Sequence, residues 1–295
     1  MTDNPQDTTR RALLTGGMAA ATALAAGAAT ANSLTPTDAP TAINRQGRFA
    51  GKVIAVTGGN SGIGAATVRA FAMEGGQVIF GARRDALGRT VEAQIRDLGG
   101  DVTWMQTDVR DPAQVARFVQ GGTDTYGRLD VLFNNAGIFM TPGTIDAIEI
   151  DNFHDMMDTN VNGVFYGMKY AIPVMQAQGS GVIVNMASVA GHRGFANTAH
   201  YSASKHAVLG LTKAGASLAA DNIRVVSISP LAVDTPMLQE SFAYQGLTYD
   251  AMAPNLVTPR IMTPHEMAQG VLFLASDAAT AFNGTDFDAT GGQLA

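Results

Sequence analysis

Tyr201 and Lys205 stand four residues apart in the stretch YSASK, a spacing that in a helix puts both side chains on one face about one turn apart. An ammonium beside a phenol favours the phenolate, so the pair could bring a tyrosine toward the working range of an acid–base catalyst. Ser188, thirteen residues upstream of Tyr201, closes an apolar run and could orient or polarise a substrate oxygen. On its own, that serine is equally what a strand-end turn requires.

Other chemistries lack their residues. The 295-residue chain has no Cys, which removes disulfides, thiolate nucleophiles, iron–sulfur clusters and thiolate zinc sites. His154, His192, His200, His206 and His265 form no His-x-x-x-His pattern and adjoin no carboxylate cluster at ligand spacing, so no metal site is expected. A serine hydrolase would need a Gly-x-Ser-x-Gly elbow and an identifiable His partner, and neither is present.

A second chemistry-bearing stretch follows the first apolar run. In Thr57-Gly58-Gly59-Asn60-Ser61-Gly62-Ile63-Gly64, glycines at 58, 62 and 64 allow a tight turn, bring backbone amides close to a pyrophosphate and let the next helix pack on a sheet. A plain turn would use the same glycines; their place between the first strand and first helix favours a dinucleotide. At the end of the second strand, where an acid would bind the ribose 2′-hydroxyl of NAD, the chain has Arg83 and Arg84. Guanidinium groups pair with a 2′-phosphate, so NADP(H) is preferred and NAD(H) is possible, although two arginines also suit a solvated helix start. Asp108, closing the third strand, is placed to accept from an adenine amino group or to cap a turn.

The elements that must position these groups are legible as alternating short apolar runs and longer amphipathic stretches. Seven strands are expected: VIAVT (53–57), QVIFGA (77–82), DVTWMQT (101–107), LDVLFNNA (129–136), GVIVNMA (181–187), IRVVSIS (223–229) and GTDFDAT (284–290). Asp85, Asp111 and Thr263 are candidate helix N-caps. The fold class is α/β, a Rossmann-like doubly wound and mostly parallel seven-stranded sheet with helices on both faces. One dinucleotide-binding catalytic domain spans 51–295. With 46% apolar and 15% charged residues the chain can bury a large core, and a net charge of −6 gives no attraction to nucleic acid.

The N-terminus has a different composition. Arg10-Arg11 precede residues 12–31, which carry no charge and end in Ala29-Thr30-Ala31, the order of a secretory signal with a small-residue cleavage site. Its weakly apolar, Ala/Gly-rich middle resembles a twin-arginine signal, which exports folded proteins, so a periplasmic or exported location is expected. A floppy extension on a cytoplasmic enzyme is the other reading. Gly16, Gly17, Thr22 and Gly27 dilute the run, and no stable membrane span is expected in the mature chain. Residues 32–50 read as a linker.

From about 52 to 295 the chain resembles a short-chain dehydrogenase/reductase. The matches are TGGNSGIG (57–64), Asn134-Asn135-Ala136-Gly137, Asn160 in DTNVNG, Ser188 and YSASK (201–205), in the family's order. The resemblance implies Tyr201 as proton donor or acceptor, Lys205 binding the nicotinamide ribose and lowering the tyrosine's pKa, and Ser188 holding the substrate oxygen. It implies that Asn160 anchors a water relay, that Asn134 to Gly137 line the cofactor and fix the sheet, and that Ile63 and Val109 make backbone contacts to the cofactor. It also implies that Asn60 and Ser61 belong to the cofactor loop, and that Val233 and Thr235 hold the carboxamide and phosphates. The family's Pro-Gly after the sixth strand is here Pro230-Leu231. A Leu side chain there points away or crowds the nicotinamide.

The implied reaction is hydride transfer between nicotinamide and a ketone or secondary alcohol, the cofactor supplying the redox chemistry. An apolar, medium-sized substrate is expected from a lid over 237–262 bearing Met237, Leu238, Phe242, Tyr244, Leu247, Tyr249, Met252 and Leu256, with His192 and Phe195 beside it. The same stripe could simply pack onto the domain. A non-catalytic NAD(P)-sensing protein on this fold is the alternative function, disfavoured because Ser188, Tyr201 and Lys205 are all present. A homotetramer or homodimer is implied by the resemblance.

Overall fold

Runs of β-branched and apolar residues with no polar interruption make strands that are buried on both faces, as a parallel sheet between two helical layers requires. The computed structural model describes residues 41–295. The expected export signal (1–31) and residues 32–40 of the expected linker lie outside the described residues.

The strands are β1 (Val53–Thr57), β2 (Gln77–Ala82), β3 (Val102–Gln106), β4 (Val131–Asn134), β5 (Gly181–Met186), β6 (Ile223–Pro230) and β7 (Asp286–Ala289). They form one sheet in the order β3-β2-β1-β4-β5-β6-β7, with every pairing parallel. The order reverses between β1 and β4, which opens a crevice beyond their carboxyl ends. The helices are α1 (Gly62–Met73), α2 (Asp85–Asp97), α3 (Pro112–Tyr126), α4 (Ile150–Met157), α5 (Gly163–Gln178), α6 (Ala199–Ala214), α7 (Pro236–Gln245), α8 (Tyr249–Met252) and α9 (Pro264–Ala275). Among the described residues no helix is long and apolar enough to cross a membrane.

Alternation along each strand sorts the core into two layers. Ile54, Val56 and Phe80 face Val68 and Phe71 of α1 and Leu272 of α9. Ala55, Ile79 and Leu132 face Phe118 of α3, Met175 of α5 and Val208 of α6. On that second face Asn134, Asn185, Ser227 and Asp286 stand at one register level across β4 to β7. Asn134 Nδ2 donates to Asn185 Oδ1 at 2.9 Å, Asn185 Nδ2 to Thr212 Oγ1 at 3.0 Å, and Ser227 Oγ to Asp286 Oδ1 at 2.5 Å.

Two local expectations need correction. Residues 44–50, read as linker, are part of the folded layer: Asn44 N donates to Met73 O at 2.7 Å, and Phe49 is 2% exposed and packs edge-on to Phe71 with ring centroids 4.7 Å apart. One aromatic ring in a polar stretch gives no periodicity to read. Phe49→Ala is expected to cost about 3–5 kcal/mol through lost burial and a cavity, measured by urea unfolding. Asp85 does not cap α2; Arg84 occupies the cap position, and the Asp85 carboxylate accepts from Trp104 Nε1 and Arg89 Nε, each at 2.8 Å. Asp111 and Thr263 do cap α3 and α9, the latter in a reciprocal capping box with Glu266.

Candidate active site

The glycine loop sits at the reversal between β1 and β4, and side chains on both sides fix its shape. Asn135 Nδ2 donates to Thr57 O at 3.0 Å and Gly58 O at 3.2 Å, while Asn135 N and Ala136 N both donate to Thr57 Oγ1 at 3.0 and 3.1 Å. Gly58 has φ +68° and Gly62 φ +51°, the left-handed region where a side chain is strained. Gly64 is required by packing: a Cβ there would lie 2.2 Å from Gly58 O. Ser61 precedes α1 in extended conformation with no side-chain cap bond, which leaves the first-turn amides of Gly62, Ile63 and Gly64 facing an incoming acceptor.

Arg84 completes the loop's outer wall. Its guanidinium donates to Ser61 Oγ at 2.9 Å and its carbonyl accepts from Asn60 Nδ2 at 3.0 Å. Asn60 is 6% exposed, so it holds the loop's shape rather than reaching outward. Arg83 contributes charge near Asp108. Burial of Asp108 opposes its ionisation, but hydrogen bonds and charge from Arg110, with the charge of Arg83, hold its carboxyl below the usual range. Asp108 is thus committed to Arg110, whose guanidinium lies 2.7 Å away and whose backbone N donates to the carboxylate at 3.0 Å; this is the turn role that the sequence left open. Val109 is 6% exposed and packs where a Cβ on Gly163 would meet it at 2.9 Å.

From the other side of the crevice, Thr235 approaches the same loop. Its Cγ2 lies 3.1 Å from where a Gly62 Cβ would be, and its Oγ1 caps α7 by accepting from Leu238 N while donating to Val233 O at 3.1 Å. Pro230 ends β6, paired with Ala289. Leu231 is half-buried and is not among the described residues with positive φ, so replacing the family's glycine leaves the backbone unstrained. An open helix N-terminus, a loop closed to side chains and a flanking guanidinium fit a dinucleotide phosphate.

Ser188, Tyr201, Lys205 and Asn160 converge beside this loop. Ser188 is 6% exposed at the end of β5, and its Oγ accepts from Ala190 N at 3.1 Å, which leaves its proton to donate. Directed at the Tyr201 phenol, that proton favours the ionised form. Lys205 is 4% exposed and donates from Nζ to Met186 O at 2.9 Å. A Cβ on Gly137 would lie 3.3 Å from Asn160 Oδ1 and 3.8 Å from Lys205 Nζ, so these three meet at one point. Asn160 lies in a π-helical turn, Asp158–Asn162, between α4 and α5. Its Oδ1 accepts from Ile138 N at 2.8 Å, and its Nδ2 donates to Ile138 O at 3.0 Å and Ser204 Oγ at 3.2 Å.

The expected electrostatics of the pair are reversed. Burial pushes the Tyr201 phenol above its ordinary value, with the Ser188 hydrogen bond opposing it, and burial brings Lys205 down to about 8. The Lys205 ammonium lies 5.6 Å from the Tyr201 ring centroid and is aimed at a carbonyl, so the chain's own groups keep the phenol protonated at neutral pH.

Sequence reading missed Phe139, whose ring packs edge-on to Tyr201 at 5.2 Å between centroids, and Ser204, which donates to Tyr201 O at 2.7 Å. Ser204 lies three residues after Tyr201 on the same helix face, a signal that was available; Phe139 sits in an irregular loop and had none. The expected lid stripe divides. Phe242 is buried and meets Tyr249 edge-on at 5.3 Å, whereas Tyr244 and Leu247 are exposed. His192 turns from the lid toward Asp286.

The family model described as enoyl-(acyl carrier protein) reductase matches residues 58–293. A 3beta-hydroxysteroid dehydrogenase of Mediterraneibacter gnavus is 40% identical over 67% of this chain and 71% of its own length. The crystal structure of levodione reductase superposes with a TM-score of 0.81 at 34% identity, covering 83% of this chain and 98% of that one. A variant of actinorhodin polyketide ketoreductase, crystallised with NADPH, gives 0.79 at 31% identity over 85% and 98%.

Proposed function

The chain belongs to the short-chain dehydrogenase/reductase family and is an NAD(P)-dependent oxidoreductase acting on CH–OH and C=O groups; from that premise we propose that it reduces apolar ketones with NADPH. The convergence of Ser188, a protonated Tyr201, Lys205 and Asn160 beside the glycine loop carries this reading. Bound NADPH would supply the hydride. Ser188 donates to the carbonyl oxygen and Tyr201 delivers the proton to it. Lys205 and Asn160 line the route by which the phenol is reprotonated. The reverse sequence oxidises a secondary alcohol.

Arg84 with Ser61 reads the 2′-phosphate, and Arg83 adds positive charge beside them. Titration of bound-nicotinamide fluorescence should give micromolar NADPH affinity and weaker NADH affinity. Arg84→Ala should weaken NADPH by about tenfold and leave NADH nearly unchanged, as loss of one charged phosphate contact implies. Equal loss for both cofactors would remove Arg84 as the reader.

We also propose that residues 1–31 direct twin-arginine export of the folded, cofactor-loaded enzyme, supported by Arg10-Arg11 and the uncharged run that follows. Fractionation should find a chain beginning at Asn32 with dinucleotide bound in the exported fraction. The paired change Arg10→Lys and Arg11→Lys should retain it in the cytoplasm; unchanged export would defeat this reading. A homodimer or homotetramer, read by light scattering, is the proposed assembly.

A further inference from the structure

Ser188 opens a single 3₁₀ turn, Val189–Gly191, and His192 ends it. Gly191 N donates to Ser188 O at 2.8 Å and His192 N to Val189 O at 3.1 Å, so the turn moves as a unit. It rests on backbone: a Cβ on Gly191 would lie 2.9 Å from Lys205 O, on the helix that carries Tyr201. A turn of this length has poor hydrogen-bond geometry and little stability of its own. Its placement over α6 therefore depends on what ties down its far end.

That end is moored to the sheet. His192 Nε2 lies 2.8 Å from Asp286 Oδ2 on β7 and 3.3 Å from Ser229 Oγ on β6. A carboxylate only accepts, so Nε2 carries the proton. The other carboxylate oxygen accepts from Ser227, and both serines are fully buried. The Asp286 side chain is 12% exposed and the His192 side chain 32%, so the contact is shielded on the carboxylate side and open to solvent on the imidazole side. Asp286 is also the outer end of the polar row that crosses β4 to β7. The mooring thus runs from the central sheet through Asp286 and His192 to the turn that carries Ser188.

We propose that His192 and Asp286 are positioning residues that hold Ser188 against Tyr201. The proposal rests on the reading of Tyr201 as the proton donor. With the mooring gone the turn slides on α6 and the Ser188 hydroxyl leaves the phenol, while the glycine loop on the opposite wall is untouched. Rate should suffer and cofactor affinity should not.

The test follows the Tyr201 phenol directly. Tyrosine labelled with ¹³C at Cζ, with the Tyr201 resonance assigned by Tyr201→Phe, is titrated in the wild type, Ser188→Ala, His192→Ala, His192→Gln and Asp286→Asn. Ser188→Ala should raise the phenol's pKa, because the opposing hydrogen bond is lost. His192→Ala should move it at least half as far in the same direction. It should also lower kcat with cyclohexanone by about tenfold and keep the NADPH Kd within about twofold. Glutamine, which can still donate to the carboxylate, should restore both readouts. If His192→Ala unfolds, Asp286→Asn is read in its place, since it keeps the side-chain shape. A phenol that titrates as in the wild type, with wild-type kcat, overturns the proposal. Failure of the underlying reading shows separately, as turnover that survives Tyr201→Phe.

Discussion

Tyr201→Phe is expected to reduce kcat for ketone reduction by about 10²- to 10⁴-fold, the range for removing a positioned general acid, while NADPH affinity changes no more than a few-fold. The variant is clean because the hydroxyl acts with Ser188, and the ring's edge-on contact with Phe139 survives. Neither contact belongs to the glycine loop. Steady-state loss of NADPH absorbance with a cyclic ketone, paired with a fluorescence titration of NADPH, measures the two effects independently. Turnover within about twofold of wild type would remove Tyr201 from the chemistry.

Lys205→Met should separate stability from activity. With a folded value of about 8 against an ordinary 10.5, the native chain gives up a proton that the unfolded chain keeps, so Lys205 makes stability rise with pH between those values. The gap corresponds to about 3 kcal/mol. Unfolding free energies from urea melts should therefore show wild type gaining about 3 kcal/mol on the variant between pH 7.5 and pH 10.5. Losing the Nζ bond to Met186 O adds a penalty to the variant that is the same at both pH values and cancels from the difference. In the same variant kcat should fall by about 10²-fold, because the cation that meets Gly137 and Asn160 is gone. A difference that stays flat with pH would mean that Lys205 keeps its full charge in the fold.

Most of this architecture is legible in the sequence, because parallel strands buried on both faces announce themselves as apolar runs. β1 and β2 begin and end where VIAVT and QVIFGA do, and the other strands differ only at their ends, where side-chain bonds decide. LDVLFNNA shortens to Val131–Asn134 because Asn135 and Ala136 turn their amides to Thr57 instead of a neighbouring strand. In the site, the types and spacing of Tyr201, Lys205 and Ser188 were legible, but their charge state was not. Whether an ammonium lowers a phenol's pKa depends on burial and aim, and Lys205 is aimed at a carbonyl. Phe49 and the His192–Asp286 contact were hidden for a related reason. One has no periodic neighbours, and the other joins residues 94 apart.

The polar row across β4 to β7 also bears on how the chain avoids misfolding. Side chains alternate between faces, so sliding β6 by one residue would turn Ser227 into the layer held by Val226 and Ile228 and strip Asp286 Oδ1 of its donor. Each buried polar group left without a partner costs about 1–3 kcal/mol, and a slip anywhere along the row strands at least two. An all-apolar sheet interior would be nearly indifferent to such an error. Four polar residues at one level act as a key that only one alignment of the strands will turn, which makes the mispaired sheet costly before the active site has formed at all.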